Sequence, residues 1–120
     1  MGKYTLVIGA SENEERYSNQ AIKKLKKYGH DIVAIGARAG NVDNVIFSKE
    51  KKKFEGIDTV TMYIGERHQP EYYDYILSLK PKRIIFNPGA ENDELKALAD
   101  KNGIQTLEAC TLVMLSTGQY

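Results

Sequence analysis

A glycine-containing turn near the start of the chain is the first segment whose residue types suggest chemistry. Gly9-Ala10-Ser11 follows an apolar run, and small side chains there leave backbone N–H groups open to a ligand. Such groups, with the positive end of a following helix, favour phosphate. Further donors stand at Arg16, Ser18 and Asn19. The alternative interpretation is that Ser11, Asn13 and Ser18 only cap the helix.

The turn after the second apolar run carries a cation. Gly36-Ala37-Arg38 stands where an NAD-binding domain usually has an acid for the ribose hydroxyls. The first turn also departs from G-x-G-x-x-G, because Ser11 and Glu14 occupy its third and sixth positions. A guanidinium can bind phosphate through paired hydrogen bonds, so Arg38 suits a ribose with an extra phosphate. NADP and coenzyme A both carry one. A solvated surface charge is the alternative for Arg38.

Small residues also follow two later apolar runs, at Tyr63-Ile64-Gly65 and at Asn87-Pro88-Gly89. Open parallel sheets bind ligands outside the carboxyl ends of their strands. We therefore expect all these turns to border one crevice, although glycine also ends strands without any ligand. The predicted cofactor contacts are Gly9, Ala10, Ser11, Arg16, Ser18, Asn19, Gly36, Ala37, Arg38, Tyr63, Ile64, Asn87, Pro88 and Gly89.

The elements that must position these turns alternate between strand and helix. The apolar patterns predict strands at 4–8, 31–35, 42–47, 57–64, 83–86 and 104–107, and helices at 17–28, 70–79, 91–102 and 110–116. Strands separated by helices pair in parallel through right-handed crossovers. The prediction is an α/β, Rossmann-like three-layer fold with a parallel five- or six-stranded sheet, in which strand 4–8 is central. Residues 1–120 are expected to form a single domain.

Composition narrows the classes of partner. The 120 residues have a formal net charge of +1 and are 42% hydrophobic, which is typical of a globular protein. We therefore expect no nucleic-acid partner, no membrane span and a cytoplasmic location. The lone cysteine, Cys110, excludes an internal disulfide and is expected to be a small buried hydrophobe.

No catalytic or metal centre is recognisable in the sequence. His30 falls at a helix–strand junction, and His68 falls in a loop. No acid or nucleophile stands near His68 at a spacing typical of a catalytic motif. We expect both to be surface residues and assign no catalytic residue.

Several motifs together resemble a known family. Val7-Ile8-Gly9-Ala10-Ser11 is followed by Arg16-Tyr17-Ser18-Asn19, then by Asn87-Pro88-Gly89-Ala90-Glu91-Asn92 and by Ala109-Cys110-Thr111-Leu112-Val113-Met114. From Leu6 to about Gln119 the chain resembles the small stand-alone CoA-binding domain proteins, which are similar to the CoA-binding domain of the succinyl-CoA synthetase alpha subunit. This resemblance implies coenzyme A at the first turn, a basic contact at Arg38, and flanking contacts at Tyr63-Ile64 and Phe86-Asn87-Pro88. Acidic Glu12, Glu14 and Glu15 lie beside the predicted phosphate site.

The sequence is compatible with three functions. The first is non-catalytic binding of coenzyme A or an acyl-CoA, as a sensor or regulator. The second is an NADP-dependent, oxidoreductase-like nucleotide-binding domain. The third is a subunit that completes an active site with another chain, which would make a homo-oligomer or a protein partner part of the function.

Overall fold

The computed structural model describes residues 2–120, whose main sheet has five parallel strands. In chain order the strands are β1 (Thr5–Ala10), β2 (Ile32–Gly36), β3 (Gly40–Val42), β4 (Val45–Phe47), β5 (Thr59–Met62), β6 (Arg83–Phe86) and β7 (Gln105–Glu108). The sheet order is β2-β1-β5-β6-β7, and β3 and β4 form a separate antiparallel hairpin. The predicted α/β fold with a parallel sheet is confirmed.

Helices cover both faces of the sheet. They are α1 (Tyr17–Lys27), α2 (Tyr73–Leu79), α3 (Asp93–Lys101) and α4 (Thr111–Ser116). Successive side chains of a strand point to opposite faces. Val7 therefore packs with Ile22 and Leu25 of α1, whereas Leu6 and Ile8 pack on the side of α2 and α3. The result is the three-layer, Rossmann-like arrangement expected from the alternating pattern.

Strand β1 lies inside the sheet, between β2 and β5. The chain runs outward from β1 to β2 and then returns past β1 to β5, so the winding direction reverses beside β1. The carboxyl ends are level, because Ala10 pairs with Gly36, Ile8 with Met62, and Met62 with Phe86. The loops that follow β1, β2, β5 and β6 therefore meet at one edge of the sheet.

The predicted strand at 42–47 is wrong, because this segment belongs to the β3–β4 hairpin. Asp43 and Asn44 turn the chain between the two strands with φ angles of +49° and +71°. A two-residue hairpin turn of type I′ needs positive φ at both central residues, and Asp and Asn tolerate that conformation better than most residues. The apolar residues on either side of this turn, Val42 and Val45–Phe47, suggested a single strand.

The helices predicted at 70–79 and 91–102 begin later than expected. Pro70–Tyr72 forms a 3-10 turn, and a similar turn at Glu66–His68 precedes it, before α2 begins at Tyr73. In α3, the Asn92 side chain accepts a hydrogen bond from the Leu95 N–H at 3.1 Å and so caps the first turn. Within residues 2–120, no helix has the length and apolar character needed to cross a bilayer.

The segment after α4 returns to the amino ends of the strands. The Tyr120 hydroxyl lies 2.7 Å from the Thr5 hydroxyl, and its ring packs edge-on against His30 and under the Arg83 guanidinium. The His30 Nδ1 accepts a hydrogen bond from the Lys3 N–H at 2.8 Å. Burial lowers the pKa of His30, and the nearby Lys3 and Arg83 charges lower it further against an opposing effect of Asp58.

Acid should destabilise the fold through His30. Its folded-state pKa is lowered, so the unfolded chain binds the extra proton first as the pH falls through about 6.5 and stability declines there. His30→Asn retains an acceptor for Lys3 but does not titrate, and should therefore flatten the dependence of Tm on pH below neutrality. The exposed His68→Asn variant is the matched control. Identical pH profiles for the wild type and His30→Asn would contradict the prediction.

Candidate functional site

A crevice of about 720 Å³ opens where the loops after β1, β2, β5 and β6 meet. It brings together most of the predicted contacts, namely Gly9, Ala10, Ser11, Arg16, Ser18, Ala37, Arg38, Tyr63, Ile64, Pro88 and Gly89. Gly65, which the sequence placed at the crevice without predicting a cofactor contact, also lines it. Six further lining residues were not assigned to the site, namely Glu12, Asn13, Tyr17, Ala39, Phe47 and Ala90.

Gly9 lets β1 approach β5 closely at the edge of the crevice. Its φ is +102°, and a Cβ there would lie 2.9 Å from the Ile64 Cγ2 and 3.0 Å from the Tyr63 carbonyl carbon. The pairing of β1 with β2 shifts register between Ile8 and Ala10 at this point. A side chain at Gly9 would therefore disturb the end of β5 before it could reach a ligand.

The amino end of α1 faces the crevice without a side-chain cap. Arg16 occupies the N-cap position and makes no capping hydrogen bond, and the first turn contains no acidic residue. The Ser11 hydroxyl accepts a hydrogen bond from the Asn13 N–H at 3.0 Å, so it holds the loop and does not cap the helix. Uncapped N–H groups and the positive end of the helix dipole form a favourable environment for an anion.

The charged side chains that line the crevice are Glu12, Arg16 and Arg38. The Glu12 carboxylate accepts a hydrogen bond from the Asn41 N–H at 2.9 Å and is thereby directed to the β3–β4 hairpin. Arg16 and Arg38 are exposed, and in the described part of the chain neither guanidinium forms an ion pair. Two guanidiniums and one hydrogen-bonded carboxylate therefore line the crevice, and the net formal charge of its lining side chains is positive.

The predicted contacts Asn19 and Gly36 lie behind the crevice wall. Asn19 is 2% exposed, and its Nδ2 donates to the Ser11 carbonyl at 3.0 Å, which fixes the loop after β1. The Asn19 Oδ1 is buried without a partner. A Cβ at Gly36 would lie 2.4 Å from the Ala10 carbonyl oxygen, so glycine allows the ends of β1 and β2 to meet.

Asn87 is a third predicted contact that lies beneath the crevice. Its side chain is buried, and its Nδ2 donates to the Thr61 hydroxyl at 2.7 Å and to the Met62 carbonyl at 2.9 Å. Its Oδ1 accepts from the Thr111 N–H at 2.8 Å. The amide thus ties β6 to β5 and to the start of α4.

The crevice has a charged half and a neutral half. Glu12, Arg16 and Arg38 belong to the loops after β1 and β2. Among the described residues, those that line the crevice after β5 and β6 carry no charge, and they are Tyr63, Ile64, Gly65, Pro88, Gly89 and Ala90. An elongated ligand with an anionic end and a neutral end would match this division.

The family model of the CoA binding domain matches residues 3–116, nearly the whole chain. The chain belongs to the CoA-binding domain family. This confirms the resemblance drawn from the motifs at Gly9, Arg16 and Asn87. No curated protein matches the chain.

Solved structures share the fold of this CoA-binding domain. One, described as an uncharacterized protein, is 46% identical with a TM-score of 0.97, and the match covers 100% of this chain and 99% of that one. A hypothetical protein from Pyrococcus horikoshii OT3 is 21% identical with a TM-score of 0.84, covering 97% and 83%. A Thermus thermophilus protein is 14% identical with a TM-score of 0.83, covering 99% and 91%. The last two likenesses show the fold alone.

Tyr63 joins the crevice of this CoA-binding domain to a group of buried hydroxyls. The Thr61 and Thr111 hydroxyls bond to each other at 2.8 Å, while the neighbouring Tyr63 hydroxyl is buried and makes no hydrogen bond. Burial raises the pKa of Tyr63, and the threonine hydroxyls offset only part of that effect. Tyr63 is therefore a neutral phenol at physiological pH, and its hydroxyl lies below the surface of the crevice.

The other reactive side chains lie outside the crevice lining. His30 is at the opposite end of the sheet, and His68 is exposed on a 3-10 turn. Cys110 is half-buried at the start of α4, although the sequence predicted a buried thiol. Between residues 2 and 120, no cluster of His, Cys, Asp and Glu side chains has the arrangement of a metal site.

Two glycines at the crevice should respond oppositely to alanine. Gly9→Ala should lower the free energy of unfolding by about 1–3 kcal/mol, because alanine must adopt a strained positive φ against β5. Gly65 has a φ of −65° and open space around its missing Cβ. Gly65→Ala should leave stability unchanged or raise it by about 0.4–1 kcal/mol. Urea unfolding measures both variants, and equal stabilities would contradict the role assigned to Gly9.

Proposed function

We propose that this chain binds coenzyme A or an acyl-CoA in the crevice, with the pyrophosphate at the turn after β1 and the ribose phosphate at Arg38. Membership of the CoA-binding domain family supports the ligand class. The observation that carries the assignment is the pairing of an uncapped helix end with an unpaired guanidinium at adjacent strand ends.

The spacing of the two anchors suits one nucleotide. Ala10 pairs with Gly36, so the turn after β1 and the turn after β2 start side by side. Neighbouring strands lie about 4.8 Å apart, which lets two phosphate groups of one ligand reach both turns. Arg16 adds a second cation at the start of α1. These contacts are all to phosphate, which leaves the remainder of the ligand to the uncharged half of the crevice.

The proposed role is that of a binding module, a sensor or regulator that responds to coenzyme A or an acyl-CoA. The histidines and the cysteine lie away from the crevice lining, which supports binding over acyl transfer. Incubation with acetyl-CoA followed by mass spectrometry tests this role, and the thioester should be recovered intact. Hydrolysis or transfer of the acyl group by the isolated protein would show that it is an enzyme and not only a binding module. Turnover only in the presence of another protein would favour a subunit of a shared active site.

NADP is the competing ligand, because it also carries a ribose phosphate that Arg38 could bind. Thermal shift and native mass spectrometry with coenzyme A, NADP and NAD separate the two. We expect coenzyme A to raise the Tm of the protein, and NADP and NAD to leave it unchanged. Tighter binding of NADP would favour an oxidoreductase-like nucleotide-binding domain. If none of these ligands binds, the proposed function is overturned.

Arg38→Ala should weaken the binding of coenzyme A but not that of dephospho-CoA. A charge-assisted hydrogen bond contributes about 1.5–3 kcal/mol, so the affinity for coenzyme A should fall about tenfold or more. Dephospho-CoA lacks the ribose phosphate, so its affinity should barely change. Isothermal titration calorimetry with both ligands on both proteins gives the comparison.

The exposed Arg67→Ala variant is the matched control for this experiment. Arg67 does not line the crevice, so its removal changes the net charge equally but leaves the proposed contact intact. Its affinities for both ligands should match those of the wild type. If Arg38→Ala lowers the affinities for coenzyme A and dephospho-CoA equally, Arg38 does not bind the ribose phosphate.

A further inference from the structure

Two buried side-chain amides join the loops of the neutral half of the crevice. Gln69 is fully buried, and its Nε2 donates to the Ile64 carbonyl at 3.0 Å and to the Ala90 carbonyl at 2.7 Å. Its Oε1 accepts from the Asn92 Nδ2 at 2.9 Å, and that nitrogen also donates to the Tyr73 hydroxyl at 2.8 Å. All four N–H bonds of the two amides are therefore used.

This amide pair connects segments that are far apart in sequence and adjacent in space. Ile64 belongs to the loop after β5, and Ala90 to the loop after β6. Both residues line the crevice, whereas Gln69 and Asn92 do not. The two bonds from one nitrogen therefore hold the loop after β5 directly against the loop after β6. Capping of α3 requires only the Asn92 Oδ1, so it does not account for the buried Gln69.

A buried amide that loses its partners costs about 1–3 kcal/mol, so this network holds a single geometry. The wall that it holds presents apolar side chains at Ile64, Pro88 and Ala90, with glycines between them. Such a surface suits a neutral chain that contains amide groups and methylenes. In the loops after β1 and β2, by contrast, the apolar lining at Ala37 and Ala39 is interrupted by the charged Arg38.

We propose that Gln69 is a positioning residue which holds the loops after β5 and β6 together as one wall of the neutral half of the crevice, and that this half receives the pantetheine arm. The inference rests on the proposed function, because it assumes that the phosphates occupy the charged half. Gln69 acts only through the Ile64 and Ala90 carbonyls and does not touch the ligand.

The test compares coenzyme A with its ADP 3′-phosphate portion, which lacks the pantetheine arm. Gln69→Met keeps the length and volume of the side chain but removes its hydrogen bonds. Coenzyme A should bind this variant about tenfold more weakly, while the affinity for ADP 3′-phosphate should stay within about twofold of the wild type. Arg38→Ala should weaken the binding of both ligands by the same factor, so the ratio of the two affinities should change in Gln69→Met but not in Arg38→Ala. Calorimetry measures the affinities, and circular dichroism checks the fold.

The controls separate positioning from general destabilisation. Asn102→Ala removes another amide-to-carbonyl bond, from its Nδ2 to the Leu98 carbonyl, at an exposed site outside the crevice lining. It should leave both affinities unchanged. If Gln69→Met does not fold, Asn92→Ser supplies the test, since serine still caps α3 but no longer donates to Gln69. Asn92→Ser should also lower the affinity for coenzyme A more than that for ADP 3′-phosphate.

Each outcome distinguishes the two proposals. An unchanged affinity ratio in a folded Gln69 or Asn92 variant would overturn the positioning role. Equal affinity of the wild type for coenzyme A and ADP 3′-phosphate would show that the arm gains nothing from the neutral half, and would overturn this inference while leaving the proposed function intact. Failure of the wild type to bind either ligand would overturn the proposed function and this inference together.

Discussion

The close approach of β1 to β5 at Gly9 is the constraint on which the crevice depends. A φ of +102° and the absence of a Cβ let the chain leave β1 against the Tyr63 carbonyl, where an L-residue would be strained and crowded. The chain then turns over the end of the sheet through Ser11 and enters α1 with the helix end open to the crevice. Because β1 lies between β2 and β5 in a parallel sheet, this single turn borders the loops on both sides. The helix dipole, the cation at Arg38 and the neutral walls after β5 and β6 all meet there as a consequence.

Buried amides hold the loops that surround this turn. Asn19 fixes the loop after β1, Asn87 fixes the end of β6 to β5 and α4, and Gln69 fixes the loops after β5 and β6 to each other. Amide groups without partners are costly to bury, so each of these contacts restricts its loop to one arrangement. Loops are usually the more mobile parts of a fold, but here most of the crevice wall is tied directly to the sheet or to a helix start. A ligand that fits this arrangement loses less affinity to the ordering of loops.

The sequence predicts the sheet and most of the crevice because both depend on local patterns. Apolar runs and the residues that end them locate β1, β2, β5 and β6, and parallel pairing then brings their turns together. The sequence prediction joined Val42 to the apolar run Val45–Phe47 as one strand and overlooked Asp43 and Asn44, although such residues favour turns. The roles of Asn19 and Asn87 were beyond sequence reasoning, since an amide near a strand end is equally suited to contact a ligand or to brace a loop. Gln69 has no local signal at all, because its partners at Ile64, Ala90 and Asn92 come together only after β5 and β6 have paired.

The acidic loop beside the crevice is compatible with an anionic ligand because the hairpin binds its first carboxylate. Gly40 packs so closely that a Cβ there would lie 2.8 Å from the Glu12 Cγ, and the Asn41 N–H then binds the Glu12 carboxylate. Glu14 is drawn to Lys23 on α1, at 3.7 Å. Exposed charges interact weakly through water and salt, so the Glu12 carboxylate at the crevice and the Glu14 carboxylate outside its lining repel an anionic ligand little. Among residues 2–120, the guanidiniums of Arg16 and Arg38 have no such partners, so they stay available to the crevice. Formal charge along this loop is therefore a poor guide to its preference for anions. That preference depends on which charges the folded chain has already paired, and the pairing of Glu12 requires the hairpin.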